Sequence, residues 1–160
     1  MFRRAIIGLC TVALASACGT TKPENTSGPD MAALGTEKGE GGLIIERYDL
    51  SGDGKPNLWK IFRMEPDKKK PGTKKKVLLR KDMDLNRDGR VDVRQFVDAD
   101  ERVTREEMDL DFDGNVDAIA TYRDGKVFKR ELDLSLDGRP DIVKFYEEGS
   151  LVRKERDTND

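Results

Sequence analysis

The sequence predicts an all-β protein, an array of ~24-residue β-hairpin repeats that form a meandering antiparallel sheet and are joined by Asp-rich loops. Three observations lead to this fold class. A nine-residue motif recurs in phase, two short runs rich in Val, Ile, Phe and Tyr follow each copy, and a turn separates the two runs. With 39% charged and 36% hydrophobic residues among 160, the composition suits a thin sheet better than one thick core.

The nine-residue motif defines the repeat. Its copies read DLSGDGKPN from Asp49, DLNRDGRVD from Asp84, DLDFDGNVD from Asp109 and DLSLDGRPD from Asp133. The spacings are 35, 25 and 24 residues, and a truncated fifth start, DTND, follows after 24 more. The first spacing is long because a Lys-rich insertion, residues 65–76, lengthens the first hairpin. A fixed period is typical of arrays in which each unit packs on its neighbours.

The return strand of each predicted hairpin has a regular charge pattern. A base stands four positions before the next motif and an acid two positions before it: Arg80 and Asp82, Arg105 and Glu107, Lys129 and Glu131, Arg153 and Glu155. Residues two apart share a face of a strand, so we expect a solvated charge ladder on one face. The other face is expected to carry apolar residues one and five positions before the motif, namely Leu79, Met83, Met108, Phe128 and Leu132.

Residues 1–17 have the features of a secretory signal peptide. Arg3 and Arg4 precede an apolar run that is too short to cross a bilayer as a permanent helix. The run ends in Ala15-Ser16-Ala17 before Cys18, which resembles the lipobox of bacterial lipoproteins. The resemblance implies that residues 1–17 are removed and that acyl chains on Cys18 anchor the protein in a membrane of the bacterial cell envelope. In enterobacterial lipoproteins an Asp after the cysteine favours retention in the inner membrane, so the resemblance and Gly19 together imply the outer membrane. An ordinary secretory signal with a free thiol is the alternative.

The segment after the signal peptide has the composition of a linker. Residues 19–42 are rich in Gly, Thr, Pro, Ser and charge, so we expect residues 18–42 to form the lipidated cysteine and a flexible tether. Residues 43–160 are then the hairpin-repeat domain. Removal of residues 1–17 takes away two arginines and no acid, and changes the net charge from −2 to −4.

Each motif has oxygen-bearing side chains at the alternate positions that a cation-binding loop uses. Asp stands at positions 1 and 5, Gly at position 6, and Asp, Asn or Ser at position 3. Calcium takes six to eight oxygen ligands, and its loops use a Gly for the sharp turn and a backbone carbonyl at position 7. Position 12 is never acidic, which excludes a true EF-hand. With flanking strands and Asp or Asn at position 9, the loops resemble the calcium loops of integrin-type propeller repeats.

That resemblance implies four candidate metal sites, one for each loop. The ligand side chains are Asp49, Ser51, Asp53 and Asn57; Asp84, Asn86, Asp88 and Asp92; Asp109, Asp111, Asp113 and Asp117; and Asp133, Ser135, Asp137 and Asp141. The carbonyls of Arg90, Asn115 and Arg139 join the last three sets. We expect the third loop, with four carboxylates, to be the best site and the first the weakest. Asp, Asn and Gly also build Asx turns without a metal, but four copies in phase favour weak calcium sites.

The insertion places six lysines around a Pro-Gly turn: Lys68, Lys69, Lys70, Lys74, Lys75 and Lys76. They are candidate contacts for an anionic polysaccharide of the envelope, and a solvated loop is the alternative. Acidic and basic residues nearly balance, and no aromatic residue is interleaved with the lysines. We therefore expect no nucleic-acid partner.

The residue types argue against an enzyme. The chain has no His, and the predicted mature chain has no free thiol, which removes the commonest general base and a common nucleophile. The expected function is a calcium-binding scaffold or interaction module with a protein partner in a surface complex. A glycan-binding module that uses the lysines is one alternative. A component of a motility or adhesion apparatus is another, since the chain is similar to small repeat-bearing lipoproteins of myxobacteria.

Overall fold

The computed structural model describes residues 31–157, which form one open sheet of ten antiparallel strands. The strands follow the sequence order without a crossover, so each pairs only with its sequence neighbours. They are β1 Ala32–Lys38, β2 Ile44–Asp49, β3 Leu58–Pro66, β4 Lys74–Met83, β5 Val93–Val97, β6 Val103–Met108, β7 Ala118–Arg123, β8 Lys126–Leu132, β9 Ile142–Glu147 and β10 Ser150–Arg156. A 3₁₀ turn at Glu40–Gly42 is the one helical element of the described residues. The predicted all-β meander is confirmed.

The sheet begins earlier than the sequence indicates. β1 lies within residues 18–42, which we expected to form a tether, and pairs with β2 from Ala32 opposite Asp49 to Lys38 opposite Ile44. The prediction is wrong here because the small residues and Gly35 of β1 have little strand propensity. All of β1 is exposed, so its order depends on ladder hydrogen bonds to β2. The predicted signal peptide, the lipidation at Cys18 and residues 19–30 lie outside the described residues.

The predicted hairpins are β3–β4, β5–β6, β7–β8 and β9–β10, and β1–β2 adds a fifth. The four motifs connect one hairpin to the next, so they all lie on one edge of the sheet. We call this edge, formed by residues 49–57, 84–92, 109–117 and 133–141, the loop edge; the hairpin turns lie on the opposite turn edge. Strands are about 4.8 Å apart, so successive loops are spaced by about 10 Å.

One face of the sheet carries an apolar row beside the loop edge. Partners in an antiparallel ladder point to the same face, and the pairing links Tyr48, Leu58, Met83, Val93, Met108, Ala118, Leu132 and Ile142. We call this the apolar face. The predicted positions of Met83, Met108 and Leu132 are confirmed.

The four predicted charge pairs form on the opposite face, which we call the charge face. The closest N–O contacts of Arg80–Asp82, Arg105–Glu107, Lys129–Glu131 and Arg153–Glu155 measure 2.8, 2.9, 2.7 and 3.4 Å. Exposed pairs of this kind each stabilise a protein by at most about 1 kcal/mol. Their regular placement on one face agrees with the predicted strand register.

The charge face is not the continuous solvated ladder that the sequence indicates. The outgoing strands place Phe96, Thr121 and Phe145 between the basic residues, and the Arg153 guanidinium lies 3.9 Å from the centre of the Phe145 ring. Asp82 is only 6% exposed. Burial raises its pKa, although Arg80 and Arg94 act in the opposite direction.

An extra residue interrupts every return strand of the four repeats at the same place. Leu79, Thr104, Phe128 and Val152 have no opposite residue, and the register shifts there by one. Such β-bulges increase the local twist. Leu79 and Phe128 therefore do not belong to a paired row, and a count that assumes an unbroken period of two does not determine their face.

Most of the buried large apolar side chains lie in the long β3–β4 hairpin. Leu58, Ile61 and Leu78 are each 5% exposed and Phe62 is 8% exposed. Within residues 31–157 no large side chain is completely buried, because a single sheet has no second layer to cover it. Stability therefore depends on many half-buried contacts between neighbouring strands.

Leu58→Ala is expected to lower the free energy of unfolding by about 2–3 kcal/mol, because it removes buried apolar contacts and leaves a cavity. Leu134→Ala is the matched control, since that leucine is 59% exposed at the loop edge. The control is expected to change stability by no more than about 0.5 kcal/mol. Urea unfolding followed by circular dichroism measures both, and equal losses would contradict the burial pattern.

Candidate functional site

The first aspartate of each loop accepts hydrogen bonds from its own loop. In the second loop the N–H of Arg87 donates to Asp84 Oδ1 at 2.6 Å, and the N–H of Gly89 donates to Oδ2 at 2.9 Å. The equivalent N–H groups at positions 4 and 6 make the same bonds at 2.7 Å in the other three loops. These aspartates are at most 8% exposed. Each buried carboxylate therefore satisfies backbone donors that the turn leaves without a ladder partner.

The residue at position 9 closes the loop from the other side. Asp92 Oδ2 accepts hydrogen bonds from the N–H of Leu85 at 2.6 Å and of Asn86 at 3.1 Å. Asp117 and Asp141 accept the same two bonds, and Asn57 accepts one. In all four loops the position 9 carbonyl also accepts a hydrogen bond from the first residue of the next loop or of the truncated fifth motif. The loops are thereby joined into a row.

The remaining side chains of the loops also build turns. The aspartate at position 5 accepts a bond of 2.7–2.9 Å from the N–H of position 7 in every loop. Asn86 and Asp111, at position 3, accept bonds from the N–H of position 5. The Asx-turn role that the sequence allows is therefore present. A carboxylate has about four lone-pair sites, so this role leaves sites for a ligand.

Hydrogen bonds from the backbone lower the pKa of two loop carboxylates, Asp49 and Asp88, and so favour their ionised form. The N–H groups of Gly54 and Gly52 lower the pKa of Asp49 to about 2, despite its burial. The N–H of Arg90 lowers the pKa of Asp88. An ionised carboxylate is the form that binds a metal ion.

Carboxylate oxygens converge in two of the loops. Asp84, Asp88 and Asp92 each place one oxygen within 4.8 Å of the others, and so do Asp109, Asp111 and Asp117. In each triplet two residues are buried and one is exposed, so the cluster is reached from solvent. These two Asp clusters, found among residues 31–157, could hold a metal ion.

Asp92 gives the second loop an additional feature. Asp92 is 2% exposed, and its Oδ1 has no hydrogen-bond partner in the described structure. A buried charged oxygen without a partner costs on the order of 1–3 kcal/mol or more. A bound cation would supply that partner.

The predicted ligand sets are brought together only in part. Asp113 accepts bonds from the N–H and the Nδ2 of Asn115 and is not in the third-loop triplet. The hydroxyl groups of Ser51 and Ser135 donate to the first aspartate of their own loops. The second and third loops have triplets of equal size, so the geometry does not rank the third loop first. The role of the carbonyls at position 7 stays a prediction.

The Lys-rich insertion lengthens β3 and β4 into a hairpin that extends from the turn edge. Its tip is closed by a bond from the N–H of Asp67 to the carbonyl of Thr73 at 2.9 Å. All six lysines are exposed. Lys76 is ion-paired with Glu46 and lies 4.2 Å from the centre of the Phe62 ring, so it is part of the sheet's own contacts. The other five form a basic tip on the edge opposite the acidic loops.

The exposed apolar residues of the loops are not among the site residues predicted from the sequence. The leucine at position 2 of every loop is 47–60% exposed, and Phe112 and Leu136 at position 4 are also exposed. Their repetition in phase was the available signal. Contacts between loops were also not predicted: Arg87 Nη1 lies 3.9 Å from Asp53, and Arg90 Nη1 donates to the Asp113 carbonyl at 3.4 Å.

Fold and site together define an open antiparallel repeat sheet with a row of acidic loops on one edge. Comparison with models of protein families, with curated proteins and with solved structures finds no match to this chain. Within residues 31–157, no helix has the length and apolar character needed to cross a membrane.

Gly138→Ala tests the backbone of the loops alone, because a Cβ at this φ of 86° meets no atom within 4 Å. We expect a loss of about 1 kcal/mol in the free energy of unfolding, since a side chain disfavours the left-handed conformation. Leu136→Gly, in the same loop at a φ of 62°, is expected to cause no loss because it relieves that strain. Urea unfolding measures both, and a loss of similar size in Leu136→Gly would contradict this account.

Proposed function

We propose that the protein is a non-enzymatic, lipid-anchored component of the bacterial cell envelope. In this proposal calcium ions bound by the Asp-rich loops stiffen a repeat scaffold, which contacts a protein partner in a surface complex. The observation that carries the calcium part is the second loop, where three carboxylates converge and a buried oxygen of Asp92 has no partner.

Calcium fits the donor set better than the other common divalent ions do. The loops offer carboxylate, amide and backbone oxygens, which are the hard ligands that calcium and magnesium prefer over zinc. Magnesium requires a compact octahedron, whereas calcium accepts the irregular sets of flexible loops. We assign the second and third loops as the principal sites and the first and fourth as weaker ones. Affinities on the order of 10⁻⁴–10⁻³ M, typical of extracellular modules, match loops without an acid at position 12.

The open sheet favours a scaffold over an enzyme. The same side chains recur in four successive loops, whereas catalysis normally needs one asymmetric cluster of different groups. The sheet presents two broad faces and two end strands, and both β1 and β10 are exposed along their whole length. A surface of this kind suits the binding of an extended partner by strand addition or across a face.

The membrane anchor rests on the sequence of the N-terminal segment. Cys18→Ser removes the thiol that would carry the diacylglycerol, and several acyl chains are needed for a stable anchor. Cell fractionation is expected to move the Cys18→Ser protein from the membrane pellet to the soluble envelope fraction. Cys10→Ser, within the segment that is removed, serves as the control and is expected to stay with the membranes. Retention of both variants in the pellet would contradict the lipoprotein assignment.

Calcium is expected to raise the melting temperature of the mature chain relative to EDTA. At about 100 times the dissociation constant, each site adds about 2.7 kcal/mol, which is on the order of 10 °C for a domain of this size. Asp92→Asn is expected to be at least as stable as the wild type in EDTA, because its amide oxygen still accepts both backbone bonds. In calcium it is expected to lose the second loop's share of the shift.

The matched control for this melt is Asp100→Asn. Asp100 lies in a turn at the turn edge, and its side chain is 75% exposed. The control is expected to keep the full calcium shift. A wild-type melting temperature that does not move up to millimolar calcium rules out the cation sites. A full shift in Asp92→Asn removes the second loop from the proposal.

A further inference from the structure

Exposed apolar side chains of the sheet are concentrated at the loop edge. Eleven large hydrophobic residues of the described chain are exposed, and six of them lie in the four loops: Leu50, Leu85, Leu110, Phe112, Leu134 and Leu136. A seventh, Met31, directly precedes the end of β1 at this edge. A row of leucines spaced by about 10 Å over several loops is more than the scattered exposure of a typical surface.

The chain also enters the sheet at this edge. Ala32, the first residue of β1, pairs with Asp49, the first residue of the first loop. Twelve residues separate Cys18 from Met31, and an extended chain spans at most about 3.6 Å per residue. An anchor at Cys18 therefore holds the loop edge within about 45 Å of the lipid surface. The turn edge lies farther from the entry point by the length of a strand, about 20 Å.

The charge of the loop edge determines when it can approach a membrane. The four loops contain twelve aspartates and four basic residues, so the edge has a net charge of −8 without bound cations. Anionic headgroups would repel this edge. Divalent cations in the loops cancel the charge, and a calcium ion that is bound by one loop has coordination positions left for a phosphate oxygen.

We propose that the loop edge is a cation-dependent docking surface for the phospholipid headgroups of the membrane that holds the Cys18 anchor. The leucines at position 2 enter the headgroup region, and divalent ions bridge loop carboxylates to lipid phosphates. This inference rests on the proposed function, since it uses both the anchor and the cation sites. The sheet then stands with its loop edge on the membrane and its turn edge directed away from it.

The basic tip is the alternative surface for contact with the same membrane. Lys68, Lys69, Lys70, Lys74 and Lys75 lie on the opposite edge, and they would bind anionic lipids without calcium. Of the two edges of the sheet formed by residues 31–157, only the loop edge combines apolar residues, cation ligands and the entry point of the chain. We therefore assign the membrane contact to the loop edge and not to the tip.

The test uses the full mature chain with Cys18→Ser, so that the sheet and not the acyl chains must bind the lipid. Vesicles of phosphatidylethanolamine and phosphatidylglycerol, in large excess over protein, are floated through a density gradient in calcium or in EDTA. The chain is expected to float with the vesicles in calcium and to stay in the dense fraction in EDTA. Leu85→Ser/Leu110→Ser/Leu134→Ser is expected to reduce the bound fraction at least tenfold.

The control variant is Met64→Ser/Leu151→Ser/Val152→Ser, which removes three exposed apolar side chains away from the loop edge. It is expected to float like the parent chain. Flotation in EDTA that is lost when the five tip lysines are changed to Gln would overturn the proposal in favour of the basic tip. Flotation of the loop variant at the parent level would also overturn it. So would a leucine-dependent dimer, seen by sedimentation, that does not float.

The thermal melts and the cell fractionation distinguish failure of the docking surface from failure of the proposed function. A calcium shift in melting temperature without flotation means that the docking surface fails and the cation sites stand. No calcium shift means that the cation sites fail, and flotation in calcium is then expected to fail as well. Release of the Cys18→Ser protein from membranes in cells tests the anchor without reference to either result.

Discussion

The sheet depends on the hydrogen bonds that the first aspartate of each loop accepts from its own backbone. Antiparallel neighbours are usually joined by turns of two to five residues, as they are along most of the turn edge, but the connections at the loop edge are nine-residue motifs. A connection of that length needs its own partners for its N–H groups. Asp84 and its equivalents supply them at positions 4 and 6, and the residue at position 9 supplies them at position 2. Together with the ladder bonds between the flanking strands, these bonds fix the register between one hairpin and the next.

The same side chain has opposite properties at two buried positions. Asp49 and Asp82 are 4% and 6% exposed, yet N–H donors lower the pKa of Asp49 to about 2 and desolvation raises the pKa of Asp82. The contribution of Asp49 to stability is present above its unfolded pKa near 4 and is lost as the pH falls towards 2. Asp82 has the opposite pH dependence, because the fold favours its protonated form. Its contribution to stability is present at low pH and is lost as the pH rises through its raised pKa. Burial alone therefore does not determine how an acid affects this sheet.

The repeated features of the fold could be predicted from the sequence, whereas the features that interrupt the repeat could not. The period of the motif predicted the meander, the hairpins and the charge pairs, because each follows from alternation in a strand. The bulges at Leu79 and Phe128 were not predicted, because a count based on a period of two does not detect an inserted residue. β1 was not predicted because its strand depends on hydrogen bonds to β2 and not on the strand propensity of its own residues. For the loops, the spacing predicted the types of ligand residue. Only the structure shows that Asp84, Asp88 and Asp92 converge, whereas Asp113 does not join the triplet of its own loop.

Every strand pairs only with its sequence neighbours, and this affects how the sheet unfolds. Each hairpin pairs only with the hairpins before and after it, so the free energy of the array is close to a sum of nearest-neighbour contributions. Removing β10 leaves the strand pairing of β1 to β8 intact. Within residues 31–157, β9–β10 has a partner hairpin on one side only, so it can open while the central hairpins stay folded. The protein is in this sense modular in length: whole units can be added or lost at its C-terminal end without redesign of the units that remain.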